Sequence, residues 1–501
     1  MLLKRSGLLL VLWCLVLTVV AQKPQATIEL KVAGLEEGLV NILLPVNHTV
    51  FWGAMRTDTL RGKKPFVIAL HENQTGFVNI SVFNREIKLF VQKGNALRVT
   101  IDEENEENPI IIEGNNREGQ LQLTKAELLY PGSLIMRYKN DTTAALLQKH
   151  VEEDKQVRLN VFKLLYEQKK IDKAFYDFIV LTLDYYHASL ISEVIAGKYA
   201  ATLLEKDNPF YKPVFPADFG TLWEKVYKQY PVNNPPALRT FGYSDKFNTY
   251  AGDYISGYLG WQKNKQGSSP APLADPAADM KEMFGRIQNN MQPPVAEFVQ
   301  ADLLYSSLQL EENYKALGLL FNDFKRRYPQ SAYTAFIQPL ADKAIAYDKK
   351  VNQPFSPEQK IIPNYAAINT FRDLMLLFKG KTVYIECWAT WCITCKDQFD
   401  HEAELHKYLQ SKGVEHLFIS VDVENKESEW KELIKYFDLK GNHIKANERL
   451  IRDISRIFWN GKGYALPLYV IIDAEGKISE ADALAPADRK KLYQQIGKYV
   501  R

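Results

Sequence analysis

The hydrophobic positions change period twice along the chain. From Ala26 to about Asn116 the period is two: Thr27-Ile28-Glu29-Leu30-Lys31-Val32 alternates, Phe77 to Val82 alternates again, and Lys88 to Val91 and Leu97 to Ile101 follow. Gly34, Gly38 and Lys93-Gly94-Asn95 supply turns between these runs. Short alternating strands with turn residues between them predict a small β-sandwich over residues 22–118. From about Gly119 the spacing becomes three and four. Leu147, Val151, Phe162 and Leu165 mark one helix between Leu146 and Lys170, and Phe175, Phe178, Ile179, Leu183 and Tyr186 a second from Ala174 to Leu204. Two more helices span Phe321 to Lys350, broken at Tyr328-Pro329, so residues 119–352 read as an all-α domain. Gln266 to Asp279, rich in Ser, Pro and Ala, reads as a surface loop.

Gln353-Pro354-Phe355-Ser356-Pro357 is the predicted linker. After it, strand and helix alternate: strands at Thr382–Trp388, His416–Val421 and Leu468–Ile472, a fourth starting at Lys477, and helices at Asp397–Leu409, Ser428–Phe437 and Arg489–Val500. This order predicts an α/β domain over 353–501. At the other end, Lys4 and Arg5 precede an apolar run from Leu8 to Ala21 broken only by Thr18. The run is shorter than the ~20 residues a membrane span needs, so residues 1–21 read as a signal peptide cleaved before Gln22. A retained anchor is the alternative. No other stretch reads as long and apolar enough to span a bilayer.

Composition narrows the choice of function. At ~150 residues per domain, 501 residues suggest about three units. Lys and Arg total 63 against 60 for Asp and Glu, a net charge of +3, which argues against a general nucleic-acid binder. The aromatics Tyr185, Tyr186, Trp223, Tyr227 and Tyr230 of the middle region fit a packed helical core better than a ligand groove. The acidic cluster from Asp102 to Glu107 lacks the ligand spacing of a calcium loop. Loss of the leader would remove Cys14 and leave Cys387, Cys392 and Cys395, too few for a disulfide scaffold and all within nine positions of one another.

The stretch Val383 to Lys396, V-Y-I-E-C-W-A-T-W-C-I-T-C-K, places Cys392-x-x-Cys395 where a buried strand ends and a helix begins. Free amides at such a terminus stabilise a thiolate, and the thiolate is the nucleophile in disulfide exchange. Cys392 is expected to be the exposed attacker and Cys395 the partly buried resolver. A zinc site drawn from these cysteines with His401 and His406 has spacing too short for a Cys2His2 finger. Lys396, where haem attachment requires His, excludes that use of the motif. No metal or cofactor is expected, and no phosphate loop or Ser-His-Asp signature is present.

The W-A-T-W-C-x-x-C run resembles the TlpA/ResA type of thioredoxin-fold thiol–disulfide oxidoreductase. Ala465-Leu466-Pro467-Leu468 is similar to the family's cis-proline segment. The resemblance implies that Leu466-Pro467 is cis and that Trp391, Leu466 and Pro467 contact extended substrate. It also implies that Glu386, six residues before Cys392, is a buried acid that accepts the resolving thiol's proton. Gln398 stands where the family often carries Glu. Cys387 must face the other side of its strand from Glu386 and reads as a core thiol. Asp422 to Gly463 resembles a helical insertion. The whole order, a β domain, a helical middle and a thioredoxin-like end, resembles exported Bacteroidota-type proteins and implies a periplasmic or cell-envelope location. The function so implied is reduction of disulfide-bearing protein substrates, with a membrane thiol carrier as electron donor. A peroxiredoxin-like peroxidase and an envelope ligand-binding protein with an accessory redox domain are the alternatives. The oligomeric state is left open.

Overall fold

The structure is a computed structural model describing residues 24–61, 64–102, 105, 109–126, 136–240, 250–265, 276–310, 314–422 and 424–500. The predicted signal peptide lies outside the described residues, as do most of the acidic cluster and positions 266–275 of the Ser/Pro/Ala-rich stretch. The chain forms two compact units, Met1–Ala341 and Asp342–Arg501.

The first unit opens with eight strands, β1 (Ala26–Val32), β2 (Glu37–Leu43), β3 (Met55–Arg61), β4 (Phe66–Leu70), β5 (Gly76–Val82), β6 (Arg85–Val91), β7 (Ala96–Ile101) and β8 (Ile110–Gly114). They make two four-stranded sheets, ordered β4-β1-β7-β8 and β3-β2-β5-β6. Inward residues of both, including Ile28, Leu30, Ile42, Ile80, Leu89 and Val99, bury one common core, as the alternation predicts for a sandwich. The edge strand β6 is closed by α1 (Arg117–Lys125). Gln120 imitates a strand there: its amide donates to the Phe90 carbonyl at 2.7 Å and accepts from the Phe90 N–H at 2.9 Å. An edge satisfied in this way cannot template a further strand.

The helices that follow are α2 (Ala144–Glu167), α3 (Lys173–Ala200), α4 (Ala217–Gln229), α5 (Leu259–Lys265), α6 (Pro276–Asn290), α7 (Val295–Gln309), α8 (Tyr314–Arg327) and α9 (Thr334–Val351). Asp172 caps α3, its carboxylate accepting from the Phe175 N–H at 2.8 Å. Contrary to the sequence reading, α3 is long and apolar enough to cross a membrane by length and composition alone. In its most apolar window, however, 78% is buried by protein, which makes it the core helix of the unit. Tyr185, Tyr186, Trp223 and Tyr227 are buried as helix-packing core. Phe90 of the sandwich stacks on Phe178 of α3 with centroids 4.0 Å apart, and Phe51 packs against Tyr305 and Tyr333. Sheet and helices therefore share a continuous interior in this unit.

The second unit is a six-stranded sheet ordered β14-β13-β10-β11-β12-β9, built from β9 (Gln359–Ile361), β10 (Val383–Trp388), β11 (Glu415–Ser420), β12 (Gly441–Lys445), β13 (Leu468–Ile472) and β14 (Ile478–Glu480). Strands β9 to β12 run parallel, and β13 and β14 run antiparallel to their neighbours. Six helices accompany the sheet: α10 (Phe371–Leu376), α11 (Ile393–Gln398), α12 (Glu402–Ser411), α13 (Glu427–Tyr436), α14 (Glu448–Trp459) and α15 (Lys490–Gly497). Two expectations need correction. Asp422–Gly463 is not purely helical, because β12 lies between α13 and α14 and pairs with β11 and β9. Its polar Asn442 and His443 hide it from a hydrophobic scan. The single helix expected over Asp397–Leu409 is divided by a 3-10 turn at Phe399–His401.

Candidate active site

Alternation along β10 sorts its side chains between two interiors. Val383, Ile385 and Cys387 enter one core with Leu417 and Ile419 of β11. On the other face, Tyr384 packs with Leu405, Leu409 and Tyr469, and Trp388 packs with the cysteines. Glu386, between Tyr384 and Trp388, belongs to this second face. Cys387 is a free buried thiol, pushed up to about 12 by burial and by the Glu386 charge.

Cys392 and Cys395 form a disulfide with Cα atoms 5.3 Å apart. Cys392 is the N-cap of α11, and its Sγ accepts the Cys395 backbone N–H at 3.2 Å. The structure corrects one detail: Cys392, the expected attacker, is only 5% exposed, against 1% for Cys395, so it is the more accessible residue of the pair without being an open one. The cysteines sit in a cluster with Trp388, Phe399, Phe418, Val421 and Trp430, and Leu466 packs against that cluster. Leu466-Pro467 is cis. Trp391 is 56% exposed, with its ring 6.3 Å from Tyr464, which stands 6.4 Å from Trp459. Gln398 is not hydrogen-bonded to either sulfur; its side-chain carbonyl accepts the Ala487 N–H at 3.1 Å.

Glu386 is 2% exposed, and burial pushes its carboxyl up to about 7. Glu386 Oε1 lies 2.7 Å from His416 Nε2, on the neighbouring strand β11. Glu402 completes a buried trio with them. Neither cysteine sulfur is hydrogen-bonded to Glu386. His401 and His406 stay apart from the cysteines, and His406 lies 3.5 Å from Glu358.

Three residues were missed by the sequence reading. Asp422 is 2% exposed and accepts the Thr390 N–H at 3.0 Å, the Thr390 hydroxyl at 2.8 Å and the Ser420 hydroxyl at 2.7 Å. It thereby ties the segment before Cys392 to the end of β11. Glu402 shares a helical stripe with Leu405 and Leu409, at spacings of three and four, and this was the signal that it points inward. His416 is a titratable residue inside an apolar strand.

Comparison with known proteins agrees with this geometry. Residues 368–496 match the Redoxin family. The thiol-disulfide oxidoreductase ResA of Bacillus cereus is 30% identical over 132 residues, which are 25% of this chain and 71% of that protein. ResA of Bacillus subtilis is 28% identical over 100 residues, 20% of this chain and 51% of that one. A crystal structure of the thioredoxin domain of a Bacteroides vulgatus thiol-disulfide oxidoreductase is 24% identical, covering 25% of this chain and 84% of that one, with a TM-score of 0.22. With a disulfide on a six-stranded thioredoxin-like sheet and a relative matched over most of its length, the chain belongs to the ResA-like family of thiol-disulfide oxidoreductases.

Proposed function

We propose that this chain is an exported reductant of protein disulfides that works through Cys392 and Cys395. The observation that carries the reading is the Cys395 N–H aimed at Cys392 Sγ, since a fixed donor on that sulfur favours its thiolate. The Cys392 thiolate attacks a substrate disulfide, forming a mixed disulfide and releasing one substrate thiolate. Glu386 takes the proton of Cys395, whose thiolate then attacks Cys392 Sγ. The second substrate thiolate leaves, the Cys392–Cys395 disulfide forms, and two electrons have passed to the substrate. Trp391 and the backbone at Leu466-Pro467 hold the extended substrate beside Cys392. A membrane thiol carrier restores the dithiol, because an oxidising compartment supplies no reductant of its own. Residues 1–21 direct export to the envelope, and residues 22–352 set substrate or location.

Ile393-Thr394 lacks the histidine that strong oxidants carry between their cysteines, which supports the reducing direction. Titration of the couple against glutathione and dithiothreitol tests it. A midpoint near or below about −220 mV fits a reductant, and one near about −120 mV makes the protein a disulfide donor instead.

A further inference from the structure

The dithiol chemistry does not account for the whole of the buried polar trio. Glu386, Glu402 and His416 each offer a polar atom within 4.8 Å of the others, and all three side chains are buried. On one side of the imidazole, Nε2 meets Glu386 at 2.7 Å. On the other, Nδ1 faces Glu402 Oε2 at 3.6 Å, and neither Nδ1 nor either Glu402 oxygen has a hydrogen-bond partner. The titratable groups facing the trio are Tyr384 on β10, Tyr469 on β13, His406 one turn along α12, Asp488 and Tyr493 from the C-terminal segment, and His443 beyond His416. Among the described residues no lysine or arginine pairs with either carboxyl.

Two carboxylates this close in a dry site, with no cation, cannot both be ionised. Glu386 makes the shorter contact with the imidazole, 2.7 Å against 3.6 Å, and is the one favoured as an anion. Glu402 lies beside the Glu386 carboxyl, whose charge favours a proton on Glu402, and on its other side faces His416 Nδ1. We propose that Glu402 carries a resident proton and presents it to His416 Nδ1, locking the tautomer whose Nε2–H points at Glu386. Glu402 and His416 are then positioning residues, and Glu386 is the single carboxylate of the trio. Closing the 3.6 Å gap to hydrogen-bond length takes less than about 1 Å, and it satisfies His416 Nδ1 and Glu402 Oε2 together. Burial and the Glu386 charge raise the Glu402 carboxyl well above the usual range, and burial lowers His416, both in the direction the arrangement requires.

The catalytic meaning rests on Glu386 being the proton acceptor, but the protonation of Glu402 does not. Infrared spectra of the full chain in its disulfide form, taken above about pH 8 where ordinary carboxyls are ionised, test the proton directly. A protonated carboxylic-acid carbonyl band is expected, lost in Glu402→Gln and kept in Glu386→Gln. Absence of a band assignable to Glu402 overturns the proposal. The pH profile of Cys395 attack on a trapped mixed disulfide gives the second readout. Glu402→Ala is expected to move its inflection up by about one unit, because Glu386 loses an oriented donor, and Glu402→Gln, whose amide donates to Nδ1, restores it. An inflection that moves down in Glu402→Ala marks removal of a like charge and refutes the idea, as does a stoichiometric metal that Glu402→Gln releases. If Glu386→Gln leaves the inflection in place, the acceptor reading fails while the infrared band still decides Glu402.

Discussion

Asp422 is a single buried carboxylate on which the approach to Cys392 depends, so Asp422→Ala should be felt well beyond its own position. Three donors lose their acceptor at once: the Thr390 N–H, the Thr390 hydroxyl and the Ser420 hydroxyl, with Thr390 1% and Ser420 0% exposed. A buried donor without a partner costs about 1–3 kcal/mol. The two hydroxyls can rotate and belong at the low end, whereas the backbone N–H is fixed and belongs at the high end. The expected loss is roughly 3–5 kcal/mol, in line with other broken buried polar pairs. For a unit the size of Asp342–Arg501, at ~2–4 °C per kcal/mol, its melting transition should fall by about 10 °C. Scanning calorimetry of the full chain measures this, the transition being assigned to this unit because reduction of the disulfide moves it. Thr390→Val, which removes only the hydroxyl, should cost about 1–2 kcal/mol. The double variant should fall short of the sum, since residues sharing one network do not add. If Asp422→Ala melts within about 1 °C of the parent, or if the two losses add fully, the carboxylate does not anchor the segment.

Cys395→Ser should accumulate a mixed disulfide on Cys392 with a disulfide-bearing protein, seen as a dithiothreitol-sensitive adduct by mass spectrometry, and Cys392→Ser should not. The resolving rate should rise with pH through about 7, because only the ionised Glu386 can take a proton. Glu386→Gln should remove that inflection, and its persistence in stopped-flow profiles would assign it elsewhere. In the reduced native protein, iodoacetamide should label Cys392 and spare Cys387, whose thiol is buried and stays protonated; labelling at Cys387 contradicts the core assignment. Gly441→Ala should destabilise this unit by roughly 1–3 kcal/mol on denaturation, since its φ is +148° and a Cβ would lie 2.9 Å from the His416 carbonyl oxygen.

Much of this site was legible in one dimension, because its signals are local. A Cys-x-x-Cys between an apolar strand and a helix, and a Leu-Pro before another strand, are short-range patterns that need no knowledge of contacts. Strict alternation likewise places Glu386 and Cys387 on opposite faces of β10 before any neighbour is known. Hydrophobic period identified the sandwich, the helical middle and the α/β end, because apolar side chains must share a face to leave water. The tertiary structure alone decided which polar atoms meet. His416 is 30 residues from Glu386 and Asp422 is 32 from Thr390, and nothing in the period of either segment states that partnership. The same holds for the short strands β9 and β12, whose ladder hydrogen bonds replace the apolar signature they lack. Hydrophobic burial follows a repeat that the chain carries along its length. A buried polar group must instead find one particular partner, and only the folded chain brings that partner within reach.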